Sequence, residues 1–188
     1  MSCSPPQSRF GAHAGCEPCT PSTAWRNRTE PDSRLLTYTS TPLPRQLELT
    51  GQPVVTLRVA STATDGNFFV YLEDVAPDGK TTYVTEGELR ALHRKLSTQM
   101  PPYKTTYPYR TFAAKDAQPL VPGQTATLTF QLQATSVLFK AEHRIRVAIA
   151  GADAGTFLRI PAAPQNDVTL TIERGGIEPS LIELPIVP

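Results

Sequence analysis

Three groups of residues have types and spacings that could do chemistry. Cys16-Glu17-Pro18-Cys19 is a CxxC turn, and Cys3 and His13 could complete the soft, convergent donor set that zinc takes. Cys3 is remote, however, and the surrounding segment is dense in Pro, Ser and Gly. No βαβ pattern supports a redox reading either, so these read as incidental thiols in an irregular leader, with no metal and no cofactor. The second group is Gly151-Ala152-Asp153-Ala154-Gly155, a GxDxG that follows a strand-like run. It is the aspartate form of the nucleophile elbow, whose mechanism needs a helix directly after the turn. Pro161 and Pro164 leave room for a short turn at most, so Asp153 is expected in a tight loop rather than as a nucleophile. The third group, Tyr103, Tyr107 and Tyr109 with Lys104 and Arg110, could stack sugars or single-stranded nucleic acid. A tyrosine-rich loop laid over a neighbouring domain has the same composition, and packing is the favoured reading; Trp25 is read as a packing anchor in the same way.

No general base accompanies these groups. His13 lies in the leader, His93 in a basic segment, and His143 beside Glu142 at a strand start, where chain neighbours face opposite sides of a sheet. GxSxG, phosphate-binding loops and paired metal-binding histidines are missing. The sequence therefore assigns no catalytic residue.

The elements that would position these residues are short. The 188 residues suffice for one domain, with 39% hydrophobic and 19% charged residues and 19 prolines. A net charge of +1 gives no general field for gathering nucleic acid. No run approaches the roughly 20 apolar residues of a membrane span, and the first residues lack the apolar core of a secretory signal, so the expected location is cytoplasmic. Composition changes near Arg34, which divides an irregular leader, 1–33, from a folded domain, 34–188. Strands are expected over Leu35–Ser40, Leu47–Leu49, Val54–Ser61, Phe68–Val75, Thr81–Thr85, Ala126–Leu132, His143–Ala150, Val168–Glu173 and Leu181–Ile186. Val55, Leu57 and Val59 alternate with Thr56, Arg58 and Ala60, the two-residue period of a half-buried strand. Pro77-Asp78-Gly79 marks a hairpin turn. Eight to ten such strands describe an all-β antiparallel sandwich or barrel. Glu86–Leu96 stands apart: its residues are strong helix formers, with Leu89, Leu92 and Leu96 at helical spacing. Met100–Tyr109, with three prolines, reads as an extended loop.

Successive segments carry a resemblance. LLTYTSTPL at 35–43, LELTG at 47–51, VTLRVAST at 55–62, FVYLEDVAPDGK at 69–80, TEGELRALHRK at 85–95, LVPGQ at 120–124, TSVLFKAEHRIRVAIAGAD at 135–153 and PSLIELPIV near the end follow one another in order. The chain from about Arg34 to Pro188 resembles the C-terminal, non-catalytic domain of the X-Pro dipeptidyl-peptidase and cocaine-esterase-like (CocE/NonD) hydrolases. That resemblance implies a jelly-roll sandwich similar to galactose-binding domains. It also implies an α/β-hydrolase domain as partner, carrying a Ser-Asp-His triad that no position here matches. In the family the stretch like EGELRALHRK continues from a strand, which favours an extended or mixed conformation at 86–96. Where family members commonly have Gly before His-Arg-Ile-Arg, this chain has Glu142.

The expected function is thus an accessory wall for a serine hydrolase, without activity of its own. A truncated gene, a mis-called start or a separately encoded half of a split enzyme would each produce such a chain. The candidate docking or substrate-wall residues are Arg90, Arg94, Tyr103, Tyr107, Tyr109 and Asp153. Two alternatives stay open: a stand-alone carbohydrate- or ligand-binding sandwich, by fold analogy, and an independent hydrolase using Asp153.

Overall fold

The computed structural model describes residues 27–105, 107–153, 156–162 and 167–188. Trp25, His13 and the three cysteines lie outside them. Among the described residues are ten strands and three single 3-10 turns, and no helix long and apolar enough to cross a membrane. The strands are β1 (Leu36–Thr39), β2 (Leu47–Gly51), β3 (Val54–Ser61), β4 (Asn67–Val75), β5 (Thr81–Arg90), β6 (Ala126–Gln131), β7 (Thr135–Phe139), β8 (Arg144–Ala150), β9 (Leu170–Ile172) and β10 (Leu181–Glu183).

All pairings are antiparallel. One layer has the order β1-β8-β4-β5; in the other, β3 lies between β6 on one side and β10 and β9 on the other. The β2-β7 ribbon extends the second layer, because the tail after β10 pairs with β2 through the Leu49–Ile186 bridge and the bond from Val187 N–H to Glu48 C=O. The result is the all-β antiparallel sandwich that the alternating runs predict. Its core comes from the inward positions of both layers: Val55, Leu57 and Val59 of β3, Phe68, Val70 and Leu72 of β4, and Leu128 and Phe130 of β6 are all buried. Burying side chains of this size contributes about 1.5–3 kcal/mol each.

Strand β5 runs through the segment built of helix formers. Its extended backbone continues to Arg90, and only Ala91–His93 turns, as a 3-10 turn. Packing overrides propensity here. A Cβ on Gly87 would stand 2.5 Å from the Gln131 carbonyl oxygen, so the layers touch backbone to backbone at that glycine. Gln133 N–H donates to the Glu86 carbonyl, and Thr85 Oγ1 to the Gln133 carbonyl. The predicted turn at Asp78-Gly79 closes the β4–β5 hairpin, with Gly79 at φ 86° and Asp78 accepting from Lys80 N–H.

Strand β4 departs from simple alternation. Phe69, Tyr71 and Glu73 point away from the main core, yet all three are buried. Phe69 and Tyr71 form a second apolar cluster with Ala148 and Ala150 of β8, to which Leu35 and Tyr83 add. The outer face of the first sheet is covered by chain at its two ends. Phe157 stacks on Phe69 with ring centroids 4.9 Å apart, and the Arg28 guanidinium lies 4.2 Å above the Tyr71 ring.

Candidate docking face and cleft

Arg90, Arg94 and the tyrosine loop are joined by hydrogen bonds at one end of the sandwich. Arg90 closes β5 and pairs with Asp65 at 2.7 Å; Asp65 also accepts from Leu92 N–H, and Gly66 C=O from Ala91 N–H. Arg94 donates to the Gln118 and Pro119 carbonyls, which pins the chain returning from the tyrosine loop. The loop itself is held at Arg110, whose buried guanidinium donates to the backbone carbonyls of His93, Arg94 and Thr129. Burial pushes the Arg110 guanidinium down to about 10, so it remains a cation near neutral pH. Tyr103 and Tyr109 meet edge to face at 6.0 Å, Tyr103 standing half in solvent, while the Tyr107 N–H bonds to Thr105 Oγ1.

The loop after β8 reaches the same end. Asn67, the Cα partner of Arg90, donates through Nδ2 to the Leu158 carbonyl at 3.1 Å. The Asp153 carbonyl accepts from the N–H groups of Thr156 and Phe157. Its carboxylate accepts the Tyr71 hydroxyl at 2.9 Å. Among the described residues no helix follows the GxDxG turn. His93 lies edge-on to Phe112, and His143 bonds Asp74 at 2.8 Å. The contacts of Asp153 thus tie its loop to the outer face of the first sheet.

Two features were invisible in the sequence. Around this end, Met100, Phe112 and Leu158 are exposed at 91%, 63% and 88%. Phe112 is also held at φ 53°, in the left-handed region that a bulky residue rarely adopts. No periodicity signal could single out these residues, since they lie in irregular chain. The second feature is a cleft of about 780 Å³ whose walls include Arg28, Leu36, Tyr71, Ile149, Asp153 and Leu170. It opens between the C-terminal end of β8 and the chain leading into β9.

The segment before Arg34 contributes one wall of that cleft. Asn27 bridges to Thr82, Arg28 N–H donates to the Thr81 carbonyl, and Pro31–Arg34 forms a 3-10 turn. Arg28 Nε stands 2.9 Å from Glu73 Oε1 and 3.4 Å from Asp32 Oδ1; Arg146 reaches Asp32 Oδ2 at 3.4 Å. Burial above all, and then the neighbouring Asp32, push Glu73 up to about 8 against the opposing pull of Arg28. These charged residues gave no sequence signal, because buried and solvated ions look alike in a one-dimensional pattern.

Comparison with known proteins accounts for this scaffold. Residues 6–181 match the family model for the X-Pro dipeptidyl-peptidase C-terminal non-catalytic domain. The chain is 54% identical over 161 residues to proteins of Mycobacterium bovis and Mycobacterium tuberculosis that are each named as a serine esterase. That match covers 86% of this chain but 25% of each relative, so the chain spans about a quarter of their length. Among solved structures, an α-amino acid ester hydrolase superposes with a TM-score of 0.68 at 21% identity, covering 86% of this chain and 27% of that one. A CocE/NonD family hydrolase of Staphylococcus aureus superposes with a TM-score of 0.63 at 19% identity, over 86% and 32% of the two chains. At such identities these structures attest the sandwich fold; the family match, spanning nearly the whole chain, attests more. The chain belongs to the family of X-Pro dipeptidyl-peptidase C-terminal non-catalytic domains.

Proposed function

We propose that the chain serves as the accessory wall of a serine hydrolase, docking an α/β-hydrolase catalytic domain through the end of the sandwich that carries Arg90, Arg94, the tyrosine loop and the Asp153 loop. The observation that carries this reading is Phe112. It is an apolar ring held largely in solvent on a left-handed backbone, at the same end as exposed Met100 and Leu158. Exposed apolar surface of this kind favours a protein partner, and a strained residue persists where function maintains it. The occupant is chosen by length: the match spans 25% of each relative, and the rest has room for a further domain beside this one. Arg90 and Arg94 are anchored by their own partners, so they shape the face more than they offer free charge. Bond cleavage is then the work of the partner domain, and Asp153 holds its loop against the sheet.

The test joins the 188-residue chain to the remaining three quarters of a mycobacterial relative, expressed separately, and measures binding by calorimetry. Saturable binding that falls at least tenfold in the double variant Phe112→Ser, Leu158→Asp supports the reading. Absence of binding, or binding indifferent to both substitutions, overturns it. So does ester turnover by the homogeneous chain alone that vanishes in Asp153→Asn.

A further inference from the structure

The strap Asn27–Leu35 crosses the outer face of the first sheet, where its Arg28 and Asp32 meet Glu73 and Arg146 of the sheet. Glu73 is fully buried and Asp32 nearly so. Arg28 Nε lies against both carboxyls, 2.9 Å from Glu73 Oε1 and 3.4 Å from Asp32 Oδ1, and the two carboxyls are within hydrogen-bonding reach of each other. Yet, among the described residues, Glu73 Oε2 and Asp32 Oδ1 are buried without a hydrogen-bond partner. Ionised carboxylates only accept, so two of them side by side cannot satisfy one another. A proton on one carboxyl turns it into a donor for the other, a contact that two anions cannot make. We propose that Asp32 and Glu73 share one proton, and that this proton latches the strap to the sheet and releases it when lost.

The remaining neighbours are consistent with a shared proton. From β8, Arg146 is the Cα partner of Glu73, but its guanidinium is also engaged by the hydroxyls of Thr39 and Thr81. From β5 the Cα partner is Tyr83, and along β4 the same face carries Tyr71, over whose ring Arg28 is spread. Elsewhere on the strap, Glu30 and Arg34 are exposed and face each other at 4.0 Å. Two cations thus face the buried pair, each drawn partly to other partners.

The sign of the pH effect follows from linkage. Glu73 is raised from the ordinary 4.5 to about 8 with the strap closed. Between those values the closed form holds a proton that the open form has given up. The opening constant therefore rises with pH, by up to tenfold per unit, and levels off above about 8. The latch is tight in acid and loosest in alkali, the reverse of an ordinary carboxylate salt bridge.

Two measurements on the 188-residue chain test this. The first follows the side-chain carboxyl carbon of Glu73 by NMR from pH 4 to 10; a midpoint near 8 is expected, and a midpoint below 6 overturns the proposal. The second takes hydrogen-exchange protection factors for the amides of residues 28–35, which remove the intrinsic pH dependence of exchange. Protection should fall at least tenfold between pH 5 and 8 in the parent chain and stay level in Glu73→Gln, whose amide keeps a donor but cannot titrate. Level protection in the parent, or an undiminished slope in Glu73→Gln, overturns it. Should that variant not fold, the carbon titration decides alone.

Discussion

The Tyr71 hydroxyl and the Asp153 carboxylate meet at 2.9 Å, which ties the loop after β8 to the outer face of the first sheet. The aspartate of GADAG is one of the ties that hold this loop to the sheet. Its loop continues to Phe157, which covers Phe69 two residues before Tyr71 on the same strand. One short run of β4, Phe69 to Glu73, thus receives the loop on Phe69 and Tyr71 and the strap on Tyr71 and Glu73. Both coverings approach the cleft from opposite sides, and Tyr71 is the residue they share.

Tyr71→Phe should loosen the loop while leaving the core intact. The ring and its cover by Arg28 remain, while the donor to Asp153 is lost. Hydrogen bonds to charged groups contribute about 1.5–3 kcal/mol when buried, and the half-exposed Asp153 brings the expected loss to about 1 kcal/mol. Urea denaturation measures that loss, and faster proteolysis within 151–162 locates it. An unchanged midpoint would mean that water replaces the hydroxyl without cost.

Glu142 occupies a backbone position that suits glycine better than a residue with a Cβ. Its backbone stands at φ 65°, between the Glu142 N–H bond to Leu43 C=O and the start of β8. A residue with a Cβ is strained there by roughly 1–2 kcal/mol. Glycine relieves that strain but adds about 0.4–1 kcal/mol of unfolded-state entropy to be lost. Glu142→Gly should therefore raise stability by about 0.5–1 kcal/mol. A lower urea midpoint for the variant would show that the Glu142 side chain contributes more than its backbone costs.

How much of this was legible in the sequence depends on range. Val54–Ser61 announced its face because alternation is local, and Val55, Leu57 and Val59 are buried as their spacing requires. Strand β7 escaped notice although Val137 and Phe139 alternate, because five residues give few periods to recognise. On β4 the alternation of Phe68, Val70 and Leu72 identified one buried face; the unbroken run FFVYL was the signal, unread, that the other face is buried too. The Arg28–Asp32–Glu73 cluster had no such signal. Its members are 41 and 45 residues apart across the strap and β4, and only the fold brings them together.

Arg110 closes an edge. Strand β6 pairs only with β3 among the described residues, so the outward Thr129 carbonyl would face solvent or another strand. The buried guanidinium takes that carbonyl together with those of His93 and Arg94. Lysine carries a compact ammonium that cannot spread to three acceptors from different segments. Arg110→Lys should cost about 1.5–3 kcal/mol, the loss of a charge-assisted bond to buried acceptors. Proteolysis between 97 and 112 should accelerate in step, because the tyrosine loop loses its tether. A variant as stable and as protease-resistant as the parent would show that the loop is held by its aromatic contacts instead.

Phe112 separates stability from docking most directly. Its ring is 63% exposed and touches His93 edge-on at 5.5 Å, so folding gains little from it, while its left-handed backbone carries a cost. Phe112→Gly removes the ring and the strain together and should stabilise the chain by about 0.5–1 kcal/mol. If the ring is kept for a partner, the same substitution should weaken binding of the catalytic portion by at least tenfold. A residue that is merely tolerated would show the stability gain with no change in binding, whereas one serving the fold would show a loss in thermal or urea stability. Opposite signs in the two measurements are the outcome that a docking face requires, since an interface built at the expense of the isolated module is stable only when covered.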